Sequence, residues 1–315
     1  MASPTLRDVG ETALTEAGTA GNATAGTAEP PRRPALSPSR ASDFKQCPLL
    51  YRFRAIDRLP ETPSRAQVRG TVVHAALERL YRLPAGDRVP QAAVDLVSPV
   101  WTDLLDAAPE LGEMFDGADD PELQEWLESA GMLLQGYFQL EDPRRLEPEA
   151  CELLLEAELG SGVLLRGYVD RLDVAPGGQI RVVDYKTGAA PREFAEIRAL
   201  FQMKFYALAL LRSRGVVPTQ LRLIYLADQE SLTYQPELAE LERFEQTLDA
   251  IWTAILRAGR TGDFRPSPSR MCEWCSHKAI CPAFDGTPPA YPGWPAEPPS
   301  APVETPTQSL LDHAE

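Results

Sequence analysis

Two aspartates and a lysine in neighbouring predicted strands could hold a divalent cation beside an ammonium group. Asp170 lies in the segment GYVDRLD at residues 167–173, and Asp184 and Lys186 lie in VVDYKTG at residues 182–188. Carboxylate oxygens are good ligands for Mg²⁺ or Mn²⁺, and such an ion neutralises charge that develops when a phosphodiester is hydrolysed. A nearby ammonium group can position the attacking water. From spacing alone, a surface hairpin with an Asp–Lys ion pair is an equally good interpretation.

The geometry of this site depends on two predicted strands. Residues 167–173 and 180–185 are rich in apolar and β-branched residues, and the turn signal PGG at residues 176–178 lies between them. We therefore expect an antiparallel hairpin. Side chains alternate across a strand, so residues of equal parity share a face. We expect one face to carry Asp170, Asp184 and Lys186, and the other to carry Val169 and Val183.

The scarcity of lysine favours a functional role for Lys186. The chain has 31 Lys and Arg residues in total, and only four of them are lysines. Arginine therefore serves at most positions where a positive charge is sufficient. A lysine kept between two candidate metal ligands indicates a site that requires a compact, titratable ammonium group.

These motifs resemble the nuclease core of the RecB-type branch of the PD-(D/E)XK superfamily. That branch includes the nuclease domains of bacterial break-processing helicase–nucleases and the CRISPR spacer-acquisition nucleases. Further motifs follow the family's order, with an opening helix at residues 36–40 and 47–53, a histidine motif at residues 70–78 and a glutamine–tyrosine helix at residues 202–207. The resemblance covers roughly residues 35–285. It implies an α/β fold with a PD-(D/E)XK restriction-endonuclease-like core, a mixed central sheet flanked by helices.

The resemblance also implies a set of ligands for a catalytic Mg²⁺ or Mn²⁺. The candidate ligands are His74, Glu152, Asp170, Asp184 and the backbone carbonyl of Tyr185. Without the motif around it, His74 would more simply be a core residue on an amphipathic helix. Glu152 begins an alternating strand whose acidic residues could instead form a solvated edge.

Three further residues are candidates for catalysis. Lys186 would position the attacking water and stabilise the charge of the transition state. Gln202 and Tyr206 lie one helical turn apart, so both could face the same phosphate or water. Alternatively, their amide and ring only cover the sheet. We expect Arg171 and Thr187 either to support the metal ligands without contacting the metal or to be structural.

The cysteines form a second constellation, with CEWC at residues 272–275, Cys281 soon after and Cys47 far upstream. Four thiolates could bind a metal and join the two ends of the domain. Disulfides are disfavoured, because the N-terminal segment lacks the apolar run of a secretory signal. Zinc is an alternative, since His277 could complete a Cys₃His set. The resemblance implies a [4Fe–4S] cluster held by Cys47, Cys272, Cys275 and Cys281. Cys151 is then left as an ordinary strand residue.

Composition divides the chain into three parts. Residues 1–34 and 286–315 are Ala/Thr/Gly-rich or Pro-rich and are predicted to be disordered tails. Residues 35–285 are predicted to form the nuclease domain, with a helical insert at about 85–150 where apolar residues recur at helical spacing. No run of apolar residues approaches the length of a membrane span, so we expect a soluble, cytoplasmic protein. The phosphate-binding motif GxxxxGK[ST] does not occur, so any helicase would be a separate partner.

The acidic net charge is localised. Residues 103–158 contain seventeen acidic residues and two arginines, a net charge of −15 that equals that of the whole chain. Arginine-rich patches lie at residues 32–33, 52–58, 65–69 and 79–88. We expect DNA to be attracted to the N-terminal helices and repelled by the insert. Alternatively, these arginines only solvate helix faces.

The sequence therefore predicts a metal-dependent DNA nuclease, an exonuclease that acts on single-stranded DNA ends in repair or recombination. Two alternatives belong to other classes of protein. One is a catalytically weak nucleic-acid-binding module with the same fold. The other is a redox-responsive regulator, in which the cluster is the sensor and the DNA site is the output.

Overall fold

A six-stranded mixed sheet organises the chain in this computed structural model, which describes residues 34–190 and 196–294. Its strands are β1 (Ala35–Leu36), β2 (Ala150–Glu158), β3 (Leu164–Val174), β4 (Ile180–Lys186), β5 (Gln220–Tyr225) and β6 (Glu230–Tyr234). Their order is β1-β3-β4-β5-β6, and β2 pairs antiparallel with β3. The β1–β3 and β4–β5 pairs are parallel, whereas β3–β4 and β5–β6 are antiparallel. The predicted α/β fold with a mixed central sheet is confirmed.

Helices flank this sheet. They are α1 (Pro38–Gln46), α2 (Pro48–Tyr51), α3 (Arg65–Arg82), α4 (Pro90–Asp95), α5 (Val97–Ala107), α6 (Pro121–Leu140), α7 (Glu196–Arg214) and α8 (Leu238–Thr261). The helix with the histidine motif, α3, begins at a capping box in which Ser64 and Gln67 each bond the other's backbone N–H. Helix α8 ends at Gly262, whose φ of 70° suits glycine. Among the described residues, no helix combines the length and apolar character needed to cross a membrane.

The predicted hairpin is present between β3 and β4. Arg171 lies opposite Val183, and the strands pair up to Val174 and Ile180. The turn is closed by the N–H of Ala175, which donates to the carbonyl of Gln179 at 2.9 Å. The register places Asp170 and Asp184 side by side, one residue beyond the Arg171–Val183 pair.

Two hydrophobic cores lie on opposite faces of the sheet. The first core packs the sheet against α1, α7 and α8, with Leu165, Leu172, Val182, Leu223, Met203, Phe205, Leu248 and Ile255 among its members. The second core packs the other face against α3 to α6, with Val72, Leu77, Trp101, Trp126, Leu134, Val183, Tyr185 and Ile224 among its members. The residues predicted as a helical insert, 85–150, contain α4, α5 and α6. Their helices therefore complete the second core.

The predicted side-chain alternation fails at one point. Val169 packs in the first core and Val183 in the second, so the prediction that they share a face is wrong. The cause lies within β3. Arg171, two residues after Val169, directs its side chain to Tyr81 and Tyr137 of the second core. In a regular strand, residues two apart would face the same side.

The neighbouring strand β2 breaks at the same level. Cys151 packs against the second core and Leu153 against the first. Between them, Glu152 has a φ of 49°, in the left-handed region that non-glycine residues rarely adopt. At this point β2 changes the face that its odd-numbered residues occupy, from the second core at Cys151 to the first core at Leu153. β3 makes the corresponding change between Arg171 and Val169. Glu152 and Asp170 lie at the break.

The packed chain continues past residue 285, where the predicted tail begins. The hydroxyl of Tyr291 donates to the carbonyl of Gly259 at 2.7 Å, and the ring of Trp294 lies 6.2 Å from that of Trp252. Arg52 donates to the carbonyl of Pro289 at 2.5 Å. The rest of the predicted tails, residues 1–33 and 295–315, lies outside the described residues.

The arginine patches have a structural role that the charge pattern did not predict. Arg52 and Arg88 are buried, and Arg88 donates to the carbonyl of Leu146 at 2.6 Å. The ion pairs of the described patch residues include Arg52–Asp57, Arg54–Asp43, Arg54–Glu61, Arg65–Glu122, Arg79–Asp103, Arg82–Glu78 and Arg88–Glu147. These arginines bind the chain's own carboxylates and carbonyls. The predicted attraction of DNA to these patches is weakened accordingly.

Candidate active site

Three predicted metal ligands converge at the break in the sheet. His74 of α3, Glu152 of β2 and Asp170 of β3 each offer a ligand atom, and these atoms lie within 4.8 Å of one another. Nδ1 of His74 is 3.5 Å from Oδ1 of Asp170. The backbone N–H of Tyr185 donates to Oδ2 of Asp170 at 2.6 Å. An imidazole and two carboxylates are a suitable ligand set for Mn²⁺ or Mg²⁺.

Glu152 reaches this position through a strained backbone. Its φ of 49° costs on the order of 1–3 kcal/mol for a residue with a side chain. Such conformations persist where the surrounding structure enforces them, commonly at functional sites. Burial and the neighbouring Asp170 carboxylate raise the pKa of Glu152 to about 8. The sequence spacing indicated this residue, but it did not predict the turn that directs Glu152 to the site.

The carboxylates around His74 favour its protonated form. Burial would lower the pKa of His74, but the carboxylates of Asp170, Glu152 and Asp184 raise it to about 9. His74 and Lys186 in turn hold the pKa of Asp170 below its usual value, against the effect of burial. The ring of His74 packs edge-on against that of Tyr185, with centroids 6.1 Å apart. A divalent cation at this point would displace the proton.

The predicted catalytic residues form a chain of contacts beside these ligands. Nζ of Lys186 lies 2.7 Å from Oδ2 of Asp184 and donates to Oε1 of Gln202 at 2.8 Å. Nε2 of Gln202 donates to the hydroxyl of Tyr206 at 3.0 Å. Asp184 is therefore directed at Lys186, and it lies next to the group of three converging ligands rather than within it. Gln202 and Tyr206 do more than cover the sheet, because they link the ammonium group to α7.

Burial and charge fix the ionisation of this chain. Burial would lower the pKa of Lys186, but Asp184 and Asp170 raise it above its usual value, so the amine is an ammonium at neutral pH. Burial raises the pKa of Asp184 to about 6, although Lys186 opposes the shift. Asp184 is only 2% exposed. The Asp–Lys ion pair of the alternative interpretation is present, but its carboxylate is buried instead of lying on the surface.

The cysteines lie in a separate region, where the C-terminal cysteine loop, residues 265–285, meets α1 and α2. Cys47, Cys272, Cys275 and Cys281 line one cavity there. All are free thiols, and the N–H groups of Ser267 and Ser269 donate to the sulfurs of Cys47 and Cys272 at 3.4 and 3.3 Å. Among residues 34–190 and 196–294, no cysteine belongs to a group of three ligating side chains within 4.8 Å of one another.

The remaining candidates near the cysteines have other roles. His277 is buried, and its Nε2 lies 2.7 Å from Oε1 of Glu61, so this nitrogen is engaged with a carboxylate instead of a cysteine-bound metal. This contact disfavours a Cys₃His zinc site. Cys151 is half-buried in β2, and burial raises the pKa of its thiol to about 12. It is inert, as expected for an ordinary strand residue.

Comparison with known proteins finds two similar phage proteins and a solved structure with a similar fold. The "Gene 69 protein" of Mycobacterium phage D29 is 26% identical over 283 residues, which covers 80% of this chain and 97% of the relative. The "Gene 69 protein" of Mycobacterium phage L5 is 23% identical over 295 residues, with the same coverage. The solved structure of a "Putative exonuclease" from Eubacterium rectale superposes with a TM-score of 0.53 at 15% identity, covering 77% of this chain and 87% of that one.

The match to a family is extensive. The model of the PD-(D/E)XK nuclease superfamily matches residues 35–282, which include α3, the β3–β4 hairpin, α7 and the cysteine loop. Both the fold and the convergence of acidic residues beside a lysine agree with this match. The chain therefore belongs to the PD-(D/E)XK nuclease superfamily.

Proposed function

We propose that this protein is a metal-dependent deoxyribonuclease of the RecB-type branch, which digests single-stranded DNA from its ends during repair or recombination. The convergence of His74, Glu152 and Asp170 within 4.8 Å carries the proposal. A half-buried ammonium group stands beside them at Lys186. This arrangement combines a cation site with a fixed positive charge, as hydrolysis of a phosphodiester requires.

The three ligands and Asp184 would hold Mg²⁺ or Mn²⁺, with the carbonyl of Tyr185 as a further ligand. When bound, the ion would supply a Lewis acid that acidifies water and neutralises charge on the phosphate. The N–H of Tyr185 orients Asp170 by binding one of its oxygens. The ring of Tyr185 supports the imidazole of His74.

Lys186 acts as a charged donor in this proposal. Because its pKa is raised, it retains its proton at neutral pH and does not serve as the base. The ammonium group would donate to the attacking water or to a phosphate oxygen, where it stabilises the developing negative charge. Gln202 holds the ammonium group in place, and Tyr206 holds Gln202.

We further propose that Cys47, Cys272, Cys275 and Cys281 hold a [4Fe–4S] cluster. The four thiols line one cavity, and two of their sulfurs accept backbone N–H groups, which are common features of iron–sulfur sites. Around tetrahedral zinc the sulfurs would be about 3.8 Å apart, from a Zn–S bond of about 2.3 Å. No three described cysteine sulfurs lie that close. The proposed cluster therefore rests on the shared cavity and on the resemblance, and not on close approach of the sulfurs.

Ion pairs hold the cysteine loop against the N-terminal helices independently of the proposed [4Fe–4S] cluster. Glu61 contacts His277 at 2.7 Å and Arg54 at 2.8 Å, and Arg54 also contacts Asp43 of α1 at 2.7 Å. The hydrogen bond to His277 is the main reason that the pKa of Glu61 is lowered to about 2. These ion pairs link the C-terminal loop to the N-terminal helices. The cluster would then add to a contact that already exists.

Degradation of DNA by matched lysine variants tests the nuclease. Wild type, Lys186→Ala and Lys204→Ala would be incubated with labelled single- and double-stranded DNA and Mg²⁺ or Mn²⁺. Lys204 lies on α7, the helix of Gln202, and pairs with Glu240 of α8 at 2.7 Å. It is therefore a matched control. We expect Lys186→Ala to be about 10²–10³-fold slower, and Lys204→Ala to resemble wild type. Binding of DNA without degradation by wild type would instead support the binding module.

Two further measurements address the finer points. An exonuclease degrades linear single-stranded DNA and spares circular single-stranded DNA, whereas an endonuclease degrades both. Anaerobic purification followed by absorption spectroscopy and iron and sulfide analysis tests the cluster. Nuclease activity that follows the oxidation state of the cluster would support the redox-responsive regulator. A helicase, if one takes part, would be a separate protein.

A further inference from the structure

A buried cluster lies against the candidate metal centre, on the side of the second core. We define the Arg171 cluster as Arg171, Tyr81, Tyr137, Glu141, Asp173 and Tyr185. The Arg171 side chain is completely buried, at 0% exposure, and the Glu141 side chain is 4% exposed. A buried guanidinium is stable only where its donors are satisfied and its charge is compensated.

All five N–H groups of Arg171 find acceptors. Nε donates to Asp173 at 3.0 Å, and Nη2 donates to Asp173 and to Glu141, both at 3.1 Å. Nη1 donates to the hydroxyls of Tyr185 at 2.6 Å and Tyr81 at 2.7 Å. The hydroxyl of Tyr137 donates to the second oxygen of Glu141 at 3.1 Å. The cluster is therefore a closed network with one strongly preferred arrangement.

This network joins the helical insert to the strands of the site. Tyr137 belongs to α6 and Glu141 directly follows that helix, whereas Arg171 and Asp173 belong to β3. On the far side, Arg222 of β5 donates to Glu141 at 2.8 Å. A displacement of α6 would break contacts to a buried charge, which is costly. The positions of α6 and the hairpin are thus coupled.

Tyr185 connects the cluster to the metal ligands. Its hydroxyl accepts from Arg171, its backbone N–H donates to Asp170, and its ring packs against His74. One residue is therefore held at three points, and two of these contacts are to candidate ligands. Groups that orient metal ligands commonly change metal affinity by about 10- to 100-fold when they are removed.

We propose that Arg171 is a positioning residue for the metal centre, acting through Tyr185, and that Tyr137 and Glu141 extend this action to α6. The placement of the helical insert then sets the affinity for the divalent cation. This inference rests on the metal site of the proposed function. It does not require that the metal-bound protein degrades DNA.

Removal of single hydroxyls tests the proposal better than replacement of Arg171. Replacing the arginine would remove the buried cation between Glu141 and Asp173, leave them only Arg222 and Arg181 as cationic partners, and could unfold the protein. Tyr185→Phe and Tyr137→Phe each remove one hydroxyl of the cluster and keep the ring. Tyr291→Phe is the matched control, because its hydroxyl donates to the Gly259 carbonyl, outside the cluster.

The readout is the affinity of each full-length variant for Mn²⁺, measured by isothermal titration calorimetry, together with its melting temperature. We expect Tyr185→Phe to bind Mn²⁺ about 10-fold more weakly, and Tyr137→Phe to show a smaller loss. Tyr291→Phe should bind as wild type does, although it also loses a hydrogen bond and some stability.

The outcomes separate the two proposals. Wild-type Mn²⁺ affinity in both cluster variants, with only a lower melting temperature, would make the cluster a structural anchor and overturn the inference. An equal loss of affinity in Tyr291→Phe, or no binding of Mn²⁺ by wild type, would also overturn it. If wild type binds Mn²⁺ and the cluster variants bind it more weakly, but no DNA is degraded, the inference stands and the proposed nuclease activity fails.

Discussion

Raising the pH should strengthen binding of the divalent cation, because the cation must displace a proton from His74. The pKa of His74 is raised to about 9, so at pH 7 the imidazole is protonated in almost every molecule. Removing that proton at pH 7 costs about 2.7 kcal/mol, at about 1.36 kcal/mol for each pH unit. The affinity should therefore rise by up to about 10²-fold between pH 7 and pH 9.

Two structural details modify this magnitude. The His74 side chain is 29% exposed, so solvent screens part of the electrostatic effect, and about 10²-fold is the most that His74 alone contributes. Glu152 also has a raised pKa, so it contributes a second displaced proton and steepens the rise. The stability of the metal-free protein should instead fall as the pH rises. A raised pKa in the folded state stabilises the fold below the unfolded value of about 6.5, and this stability is lost as the pH passes through 9.

Calorimetric titration with Mn²⁺ at several pH values, in pairs of buffers with different ionisation enthalpies, measures both the affinity and the number of protons released. We expect more than one proton per cation at pH 7, and fewer for Glu152→Gln. An affinity that stays constant between pH 6.5 and pH 9, without proton release, would refute the assignment of His74 and Glu152 as ligands.

Three further predictions concern the proposed [4Fe–4S] cluster, Tyr206 and the cysteine loop. Cys47→Ser should lose the visible absorption of the cluster and melt at a lower temperature, whereas Cys151→Ser should keep both properties. Gly167→Ala would place a Cβ 3.0 Å from the ring of Tyr206. This variant should degrade DNA about 10- to 100-fold more slowly. Gly160→Ala is the control, because nothing lies within 4 Å of its added Cβ, and it should degrade DNA as wild type does. Glu61→Gln should lower the free energy of unfolding by about 1–3 kcal/mol in urea titrations, because a buried histidine and an arginine lose their carboxylate.

The hairpin and the placement of neighbouring polar side chains could be predicted, because both depend on local sequence. Asp184 and Lys186 are two residues apart in one strand, so alternation alone places them on the same face. Gln202 and Tyr206 are one helical turn apart, and the structure shows them hydrogen-bonded to each other. In each case the rule needs only a regular element, and the element is regular there.

The break in the sheet could not be predicted, because the alternation rule applies only to a regular strand. The alternation rule assumes extended backbone throughout, and the φ of 49° at Glu152 violates that assumption. The residue is a glutamate, so the sequence gives no glycine to signal a left-handed conformation. The prediction for Val169 failed because β3 changes face at the same level, between Val169 and Arg171.

The arginine patches show a different limit. In the sequence they are runs of positive charge, but their partners are distant along the chain, as with Arg65 and Glu122 or Arg171 and Glu141. Whether an arginine is free to attract DNA depends on these contacts, which composition does not contain. The acidic segment around α6 supplies several of the partners, so its charge is partly internal to the fold.

The backbone and the side chain at position 152 impose opposite demands on the choice of residue. Glycine would relax the left-handed conformation, whereas only a carboxylate offers an oxygen to the cation. Selection for thermal tolerance alone would therefore favour replacing Glu152 with glycine and would return a more stable protein that lacks this proposed metal ligand. Engineers who seek a more robust variant should leave this position unchanged.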